Sequence, residues 1–240
     1  MIGATGGSGT RVLARIVRRA GMYIGGEGLN ESEDPLYLAD FYDRWLNAWV
    51  PRHSLPDTRE SELLDDFRGV MARHLAGLDR PRRWGWKEPR SIFLIRFFDR
   101  HFPSFRFLHV VRDGRDMALS SNQNQLRKHG ALAGLPRFGL SLAAQSIALW
   151  SWVNSEAARY GRDSLGERYL RVRFEDLCRE PTAVATQILD FFRLEGDLRI
   201  GEQEVVAPDS LGRWRAEDPQ LIAELERVAG PALSELGYDG

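Results

Sequence analysis

Phe105 to Ser121 reads FRFLHVVRDGRDMALSS, and the rest of the chain is organised by how this stretch folds. Phe105, Phe107, Leu108, Val110 and Val111 make an apolar, β-branched and aromatic run interrupted only by Arg106 and His109, the pattern of a strand covered on both faces. Arg112, Asp113, Gly114, Arg115 and Asp116 then fall in a turn, after which Met117, Ala118 and Leu119 resume an apolar helical pattern. This order puts Arg112 at the carboxyl end of a strand and Ser120 about two turns along the next helix. In open α/β sheets, ligands bind at the carboxyl ends of the strands, where helix N-termini aim N–H groups and partial positive charge at anions. An arginine and a hydroxyl meeting there suit a phosphate. The competing reading is a solvated cluster of salt bridges at an ordinary strand-to-helix turn.

Working outward, a chain of 240 residues is expected to form one domain over residues 1–240 and to bury about three quarters of its unfolded surface. Apolar residues make up 43% and charged residues 28%, as in a soluble globular domain, and the formal charge of −1 supplies no field for gripping long nucleic acid. An anion site must therefore be a local concentration of arginine. The single cysteine, Cys178, excludes an internal disulfide and fits a reducing, cytoplasmic setting. No apolar run approaches the roughly 18 residues of a membrane span, and residues 1–20 are basic and glycine-rich rather than signal-like. The five histidines and one cysteine show no metal-ligand spacing, so no metal is implied.

Met1 to Ala4 is a short strand, Thr5-Gly6-Gly7-Ser8-Gly9-Thr10 a loop, and Arg11 to about Gly21 a helix with Val12, Leu13, Ile16 and Val17 as its apolar side. Strand, glycine loop and helix in that order form a phosphate cradle, because small residues let backbone N–H groups close around oxygens. It is not a Walker A loop: Thr10 follows Gly9 directly, and the lysine that would reach a γ-phosphate is missing. Residues 22–34 carry Glu27, Glu31, Glu33 and Asp34. A helix from Pro35 to about Val50 follows, whose Leu36, Phe41, Trp45 and Trp49 are core or cleft lining. Asp57 and Glu60 make a capping box for a helix to about Leu78. Residues 82–90, RRWGWKEPR, read as a short strand ending in Lys87, one of two lysines in the chain, and Ser91 to Phe102 as a helix. Beyond Ser121 the helix is expected to run to about His129, before a glycine-rich loop at 129–139. Ser141 to Tyr160 is a long amphipathic helix, Arg168 to Phe174 a strand, and Pro181 to Phe192 a helix. Pro219 opens a last helix toward Leu236. Strands alternating with helices imply a parallel sheet in a three-layer α/β domain with helices on both faces.

Together these segments resemble the sulfotransferase family that uses 3′-phosphoadenosine 5′-phosphosulfate (PAPS), with the nearest likeness to its bacterial and tyrosylprotein-type branches. GGSGTR at 6–11 is similar to the family's 5′-phosphosulfate loop, and VVRDGRDMALS at 110–120 to its 3′-phosphate motif. WKEPR at 86–90, RFEDL at 173–177 and LGRWR at 211–215 are further matches in the family's order. Two departures stand out. Gly7 occupies the place where the family carries lysine or arginine, and Phe174 replaces the tyrosine of its YED segment.

The resemblance implies a P-loop-like fold and transfer of a sulfuryl group from PAPS to a hydroxyl or amine of a small-molecule or carbohydrate acceptor, an EC 2.8.2-type reaction that leaves PAP. It also implies roles. Gly6, Gly7, Ser8, Gly9, Thr10 and Arg11 would hold the 5′-phosphosulfate, Arg112 and Ser120 the 3′-phosphate, and Gly212, Arg213 and Trp214 would close over the nucleotide. Lys87 would counter the developing charge in place of the missing loop cation. Glu27 is the nearest match for the general base, with Glu31, Asp34 and His53 as the other candidates. A P-loop nucleotide phosphotransferase and a non-catalytic nucleotide-binding protein are the competing readings; acceptor identity and homo-oligomerisation are left open.

Overall fold

The structure, a computed structural model of the protein, describes residues 1–26, 28–76, 78, 83–134, 139–197 and 199–239. Among these residues three strands form one parallel sheet: β1 (Ile2–Ala4), β2 (Phe107–Val111) and β3 (Tyr169–Arg173), in that spatial order. Ile2 pairs with Leu108, and Val110 pairs with Val172. The expected central strand is therefore β2, and all five of its residues are buried.

Among the described residues, eleven α-helices surround the sheet, in chain order α1 (Thr10–Arg19), α2 (Leu36–Trp49), α3 (Asp57–His74), α4 (Ile95–His101), α5 (Gly114–Ala118), α6 (Asn124–His129), α7 (Leu142–Tyr160), α8 (Phe174–Arg179), α9 (Pro181–Phe192), α10 (Ile200–Glu204) and α11 (Pro219–Leu236). Because side chains alternate along a strand, β2 feeds different helices from its two faces. Phe107 joins the aromatic core of α2, α3 and α4, built on Phe41, Trp49, Phe67 and Phe98. Leu108 and Val110 point the other way, to Leu13, Ile16 and Val17 of α1 and Ile188 of α9. Val111 reaches a third cluster formed by α7 and α11. Trp45 and Trp49 are core residues rather than cleft lining. His109 faces the Phe107 side and is fully buried, its imidazole held between the Tyr169 hydroxyl at 2.8 Å and Asn154 Oδ1 at 2.9 Å.

Several segments differ from the sequence reading for local reasons. Residues 83–90 do not form a strand: Lys87 makes only an isolated bridge to Ile2, and Glu88 accepts the Arg90 N–H and turns the chain into a 3₁₀ helix, Pro89–Leu94, that delays α4. The helix expected through 117–129 breaks between α5 and α6. Here side chains take over backbone bonding: Ser120 Oγ accepts from Asn122 N, Asn122 Oδ1 from Asn124 N, and Gln123 Nε2 donates to the Ala118 and Ser120 carbonyls. The proposed capping box is absent, since α3 starts without a side-chain cap and Glu60 instead binds Arg100 and His101. Residues 135–138 of the glycine-rich loop lie outside the described residues.

Candidate functional site

The carboxyl ends of β1 and β2 open into a cleft of about 490 Å³. The glycine loop supplies Gly6, Gly7, Gly9, Thr10 and Arg11 to it. Gly9 sits at φ 83°, and a Cβ there would lie 2.3 Å from the Phe174 ring, so only glycine brings the backbone this close to that aromatic face. No side chain caps α1, and although the Val12 N–H is taken by the Gly9 carbonyl, the Thr10 and Arg11 N–H groups are left available to an anion. Ser8 faces inward: its hydroxyl is buried and donates to the Thr5 carbonyl at 2.7 Å, bracing the loop rather than lining the cleft.

Arg112 lines the same cleft from the end of β2. Its Nη2 donates to the Ser210 carbonyl at 2.6 Å and lies 3.4 Å from Asp116 Oδ2, while its buried Nε has no partner. Its guanidinium lies 5.6 Å from the Phe174 ring centroid. An orphaned guanidinium donor beside an uncapped helix and a glycine cradle fits an anion with at least one phosphate. Ser120 is half-buried just beyond α5; its hydroxyl caps Asn122 N at 3.2 Å and is not part of the cleft wall.

Asp116, 1% exposed, organises the segment 210–214. Its carboxylate accepts the Gly212 N–H at 2.6 Å and the Trp214 N–H at 3.2 Å, and its carbonyl accepts from Arg213 Nε at 3.1 Å. Arg115 lies 3.6 Å over the Trp214 ring. Gly212, Arg213 and Trp214 are thus bound to α5 and are not in the cleft wall, whereas Val206 and Pro208 of the same segment are.

Lys87 is buried at 1% exposure. Its ammonium is ion-paired with Asp34 and donates to the Ser32 carbonyl, and Asp34 and Ser32, not Lys87, line the cleft. Burial lowers the Lys87 pKa, and the Asp34 carboxylate beside it opposes that shift. Among the base candidates, Glu31 is exposed, with its carbonyl accepting from Arg11 Nη1 at 3.1 Å. His53 lies elsewhere, among Phe93, Arg96 and Trp152. Glu27 lies outside the described residues.

The cleft has a second half that the sequence reading did not assign. Glu88, Arg90, Asn124, Gln125, Lys128 and His129 line it. Arg90 Nε binds Glu88 at 2.8 Å and its Nη1 binds Asp43 at 2.5 Å, while Lys128 Nζ sits 3.0 Å from Asp43 Oδ2. Burial raises the Glu88 pKa against the pull of Arg90. The sequence signal for this half was the amide run Asn122-Gln123-Asn124-Gln125, masked by reading it as plain helix. Among the described residues, no group of three or more His, Cys, Asp or Glu is placed to hold a metal, and no helix is long and apolar enough to cross a membrane.

Comparison with known proteins agrees with this architecture. A crystal structure of a sulfotransferase from Alicyclobacillus acidocaldarius is similar at a TM-score of 0.56 and 19% identity, over 98% of this chain and 92% of that one. A sulfotransferase domain from the curacin biosynthetic pathway is similar at a TM-score of 0.55 and 14% identity, over 99% of this chain and 97% of that one. At such identities the likeness speaks for the fold. The model of the sulfotransferase family itself matches residues 5–197, from the glycine loop past α9, and on that match the chain belongs to the sulfotransferase family.

Proposed function

We propose that the protein is a PAPS-dependent sulfotransferase, a single domain over residues 1–240 with a three-layer, P-loop-like plan, acting on a hydroxyl of a small-molecule or carbohydrate acceptor. The observation that carries this reading is the junction of the uncapped, glycine-cradled N-terminus of α1 with the unpartnered Arg112 Nε in one cleft. PAPS supplies a sulfuryl group on a phosphate leaving group. The loop N–H groups and Thr10 hold the 5′ end, as helix-terminal donors hold phosphate. Arg112 holds the 3′-phosphate, and Phe174 offers it an aromatic neighbour. The segment Gly212-Arg213-Trp214 supports that end by fixing Asp116, the neighbour of Arg112, and Ser120 by capping Asn122 at the edge of the cleft.

The acceptor oxygen must lose a proton as it bonds to sulfur. Asp34 is the base candidate that the described residues bring to the cleft, and Lys87 behind it is the cation that meets charge growing on the transferred group. Gly7 leaves the loop without its own cation, which places that duty on Lys87 with Arg11 as helper. Glu27 keeps its place as the alternative base. A P-loop phosphotransferase is disfavoured by the missing Walker lysine.

Thermal shift with PAP, PAPS and ATP, followed by sulfate transfer from labelled PAPS to an acceptor panel, tests the reading. PAP and PAPS should stabilise the protein more than ATP, with turnover of at least one hydroxyl acceptor. Stabilisation by ATP alone would favour a phosphotransferase, and PAP binding without transfer a non-catalytic nucleotide binder.

A further inference from the structure

One peptide group decides where the Arg112 side chain leaves the backbone, the amide that joins Arg112 to Asp113, and it is clamped at both ends. Its carbonyl, on Arg112, accepts from Trp150 Nε1 at 2.9 Å, and its N–H, on Asp113, donates to Glu175 Oε1 at 2.9 Å. Trp150 is a buried residue of α7, held by packing. Glu175 is different. It stands in the first turn of α8 on a side chain with several rotatable bonds, so its grip on Asp113 depends on what holds its second oxygen. That oxygen, Oε2, accepts the Tyr238 hydroxyl at 2.8 Å.

Tyr238 reaches this place through the end of α11. Gly237 stops the helix at a φ of 88°, which glycine adopts without strain, and the chain folds back so that Tyr238 N donates to the Leu233 carbonyl at 2.8 Å. The ring is thereby buried, edge-on to Trp150 with centroids 6.1 Å apart, and covered by the Arg173 guanidinium at 4.5 Å. The Tyr238 carbonyl accepts from Arg115 Nη2 at 3.2 Å, and the same Arg115 holds both Asp113 carboxylate oxygens, at 3.1 and 2.9 Å. Tyr238 therefore grips the Arg112 turn by two routes, through Glu175 and through Arg115, while standing outside the cleft lining. A buried phenol needs a partner for its hydroxyl. Here that partner is the carboxylate that orients Asp113.

The guanidinium leans on this support. Among the described residues, the side-chain hydrogen bonds of Arg112 all leave from Nη2, and its Nε has none. Guanidinium-to-phosphate bonding is directional, so a rotated peptide misdirects the donors. Building on the sulfotransferase reading, in which Arg112 holds the 3′-phosphate, we infer that Tyr238 is a positioning residue for that phosphate. Acting through the Glu175 carboxylate, it fixes the Arg112–Asp113 peptide and so sets how well the cleft tells an adenosine nucleotide with a 3′-phosphate from one without it.

The test uses the full chain and two ligands that differ in that one group, PAP and 5′-AMP, with PAP titrated by calorimetry and AMP measured by competition against it. Wild type should bind PAP more tightly. Tyr238→Phe, which keeps the ring, should weaken PAP by about 3–30-fold and leave AMP unchanged. Glu175→Leu should do likewise, and adding Tyr238→Phe to it should change nothing further. Glu175→Gln, whose amide oxygen still accepts from Asp113 N–H, should retain most of the affinity. With Arg112 already replaced by alanine, Tyr238→Phe should have no effect on PAP. A residue that only stabilises the fold predicts a lower melting temperature with the PAP-to-AMP ratio unaltered. That result, or full additivity of Tyr238→Phe with Arg112→Ala, overturns the inference and leaves the 3′-phosphate assignment standing. A wild type that binds PAP no better than AMP overturns both.

Discussion

Arg112 carries most of the anion-binding expectation at the scale of single residues. A charge-assisted phosphate contact contributes about 1.5–3 kcal/mol, so Arg112→Ala should weaken PAP by roughly 10–150-fold in calorimetry. Ser120→Ala should lose less, because the Ser120 hydroxyl is engaged with Asn122 N. Equal PAP affinity for wild type and Arg112→Ala would remove this assignment. The Lys87–Asp34 pair separates a structural from a functional role. Lys87→Ala strands a buried carboxylate and should cost about 3–5 kcal/mol in urea unfolding, along with turnover. Replacing the pair by Lys87→Met with Asp34→Leu should restore much of the stability and none of the activity. Asp34→Asn should keep PAP affinity while turnover falls by roughly 10²–10⁴-fold, the range of a general base. If Asp34→Asn keeps wild-type turnover and Glu27→Gln is inactive, the base is Glu27.

At the scale of elements, the glycine loop is the most constrained piece. Gly9→Ala meets both a positive φ of 83° and the Phe174 ring at 2.3 Å. The backbone part alone costs about 1–2 kcal/mol, and the collision adds to it. PAP affinity should drop sharply, and adding Phe174→Ala should return the steric share but not the backbone share. The segment 205–216 depends on Asp116, whose carboxylate holds two backbone N–H groups. Asp116→Ala should therefore loosen that segment, read as faster proteolysis within 205–216, and weaken PAP through Arg112, which loses a neighbour and its Ser210 brace.

These two elements also show what could be read in advance. Strand β2, the glycine loop, α9 and α11 were legible because local patterns and turn residues agree with tertiary packing. The break between α5 and α6 was not, because Ser120, Asn122 and Gln123 compete for the backbone in ways that helical periodicity does not register. The Lys87–Asp34 pairing joins residues far apart in sequence, and nothing local announces it. Ser120, Arg213 and Trp214, expected at the nucleotide, lie outside the cleft wall: Ser120 caps Asn122, and Arg213 and Trp214 bond Asp116 behind Arg112. Tyr238 escaped notice because its contact with Glu175 joins residues remote in sequence.

Across the whole molecule, the buried histidine of the central strand ties stability to pH. Burial lowers the His109 pKa from its ordinary 6.5 to about 4. Between these values the unfolded chain binds the proton and the folded protein does not, so stability falls as pH drops from 6.5 toward 4 and changes no further from this group below that. The loss amounts to about 3 kcal/mol at full extent. Urea unfolding at pH 7, 5 and 4 should show it, and His109→Gln should flatten that part of the profile from a lower starting stability; an unaltered profile in the variant would assign the acid sensitivity elsewhere.

The parallel register has a consequence for how the chain is made. Ile2 pairs with Leu108, and Val110 with Val172, so the first strand, bridged before that by Lys87, waits for more than a hundred residues before it has a strand partner, and the sheet closes only after β3 is synthesised. Such non-local pairing makes folding slow and leaves early segments exposed during synthesis. On the ribosome, the glycine loop should remain protease-sensitive in chains stalled with residue 160 just outside the exit tunnel and become protected once residue 192 is clear. The anion cradle, which precedes both of the other strands in sequence, is thus among the last features to take shape.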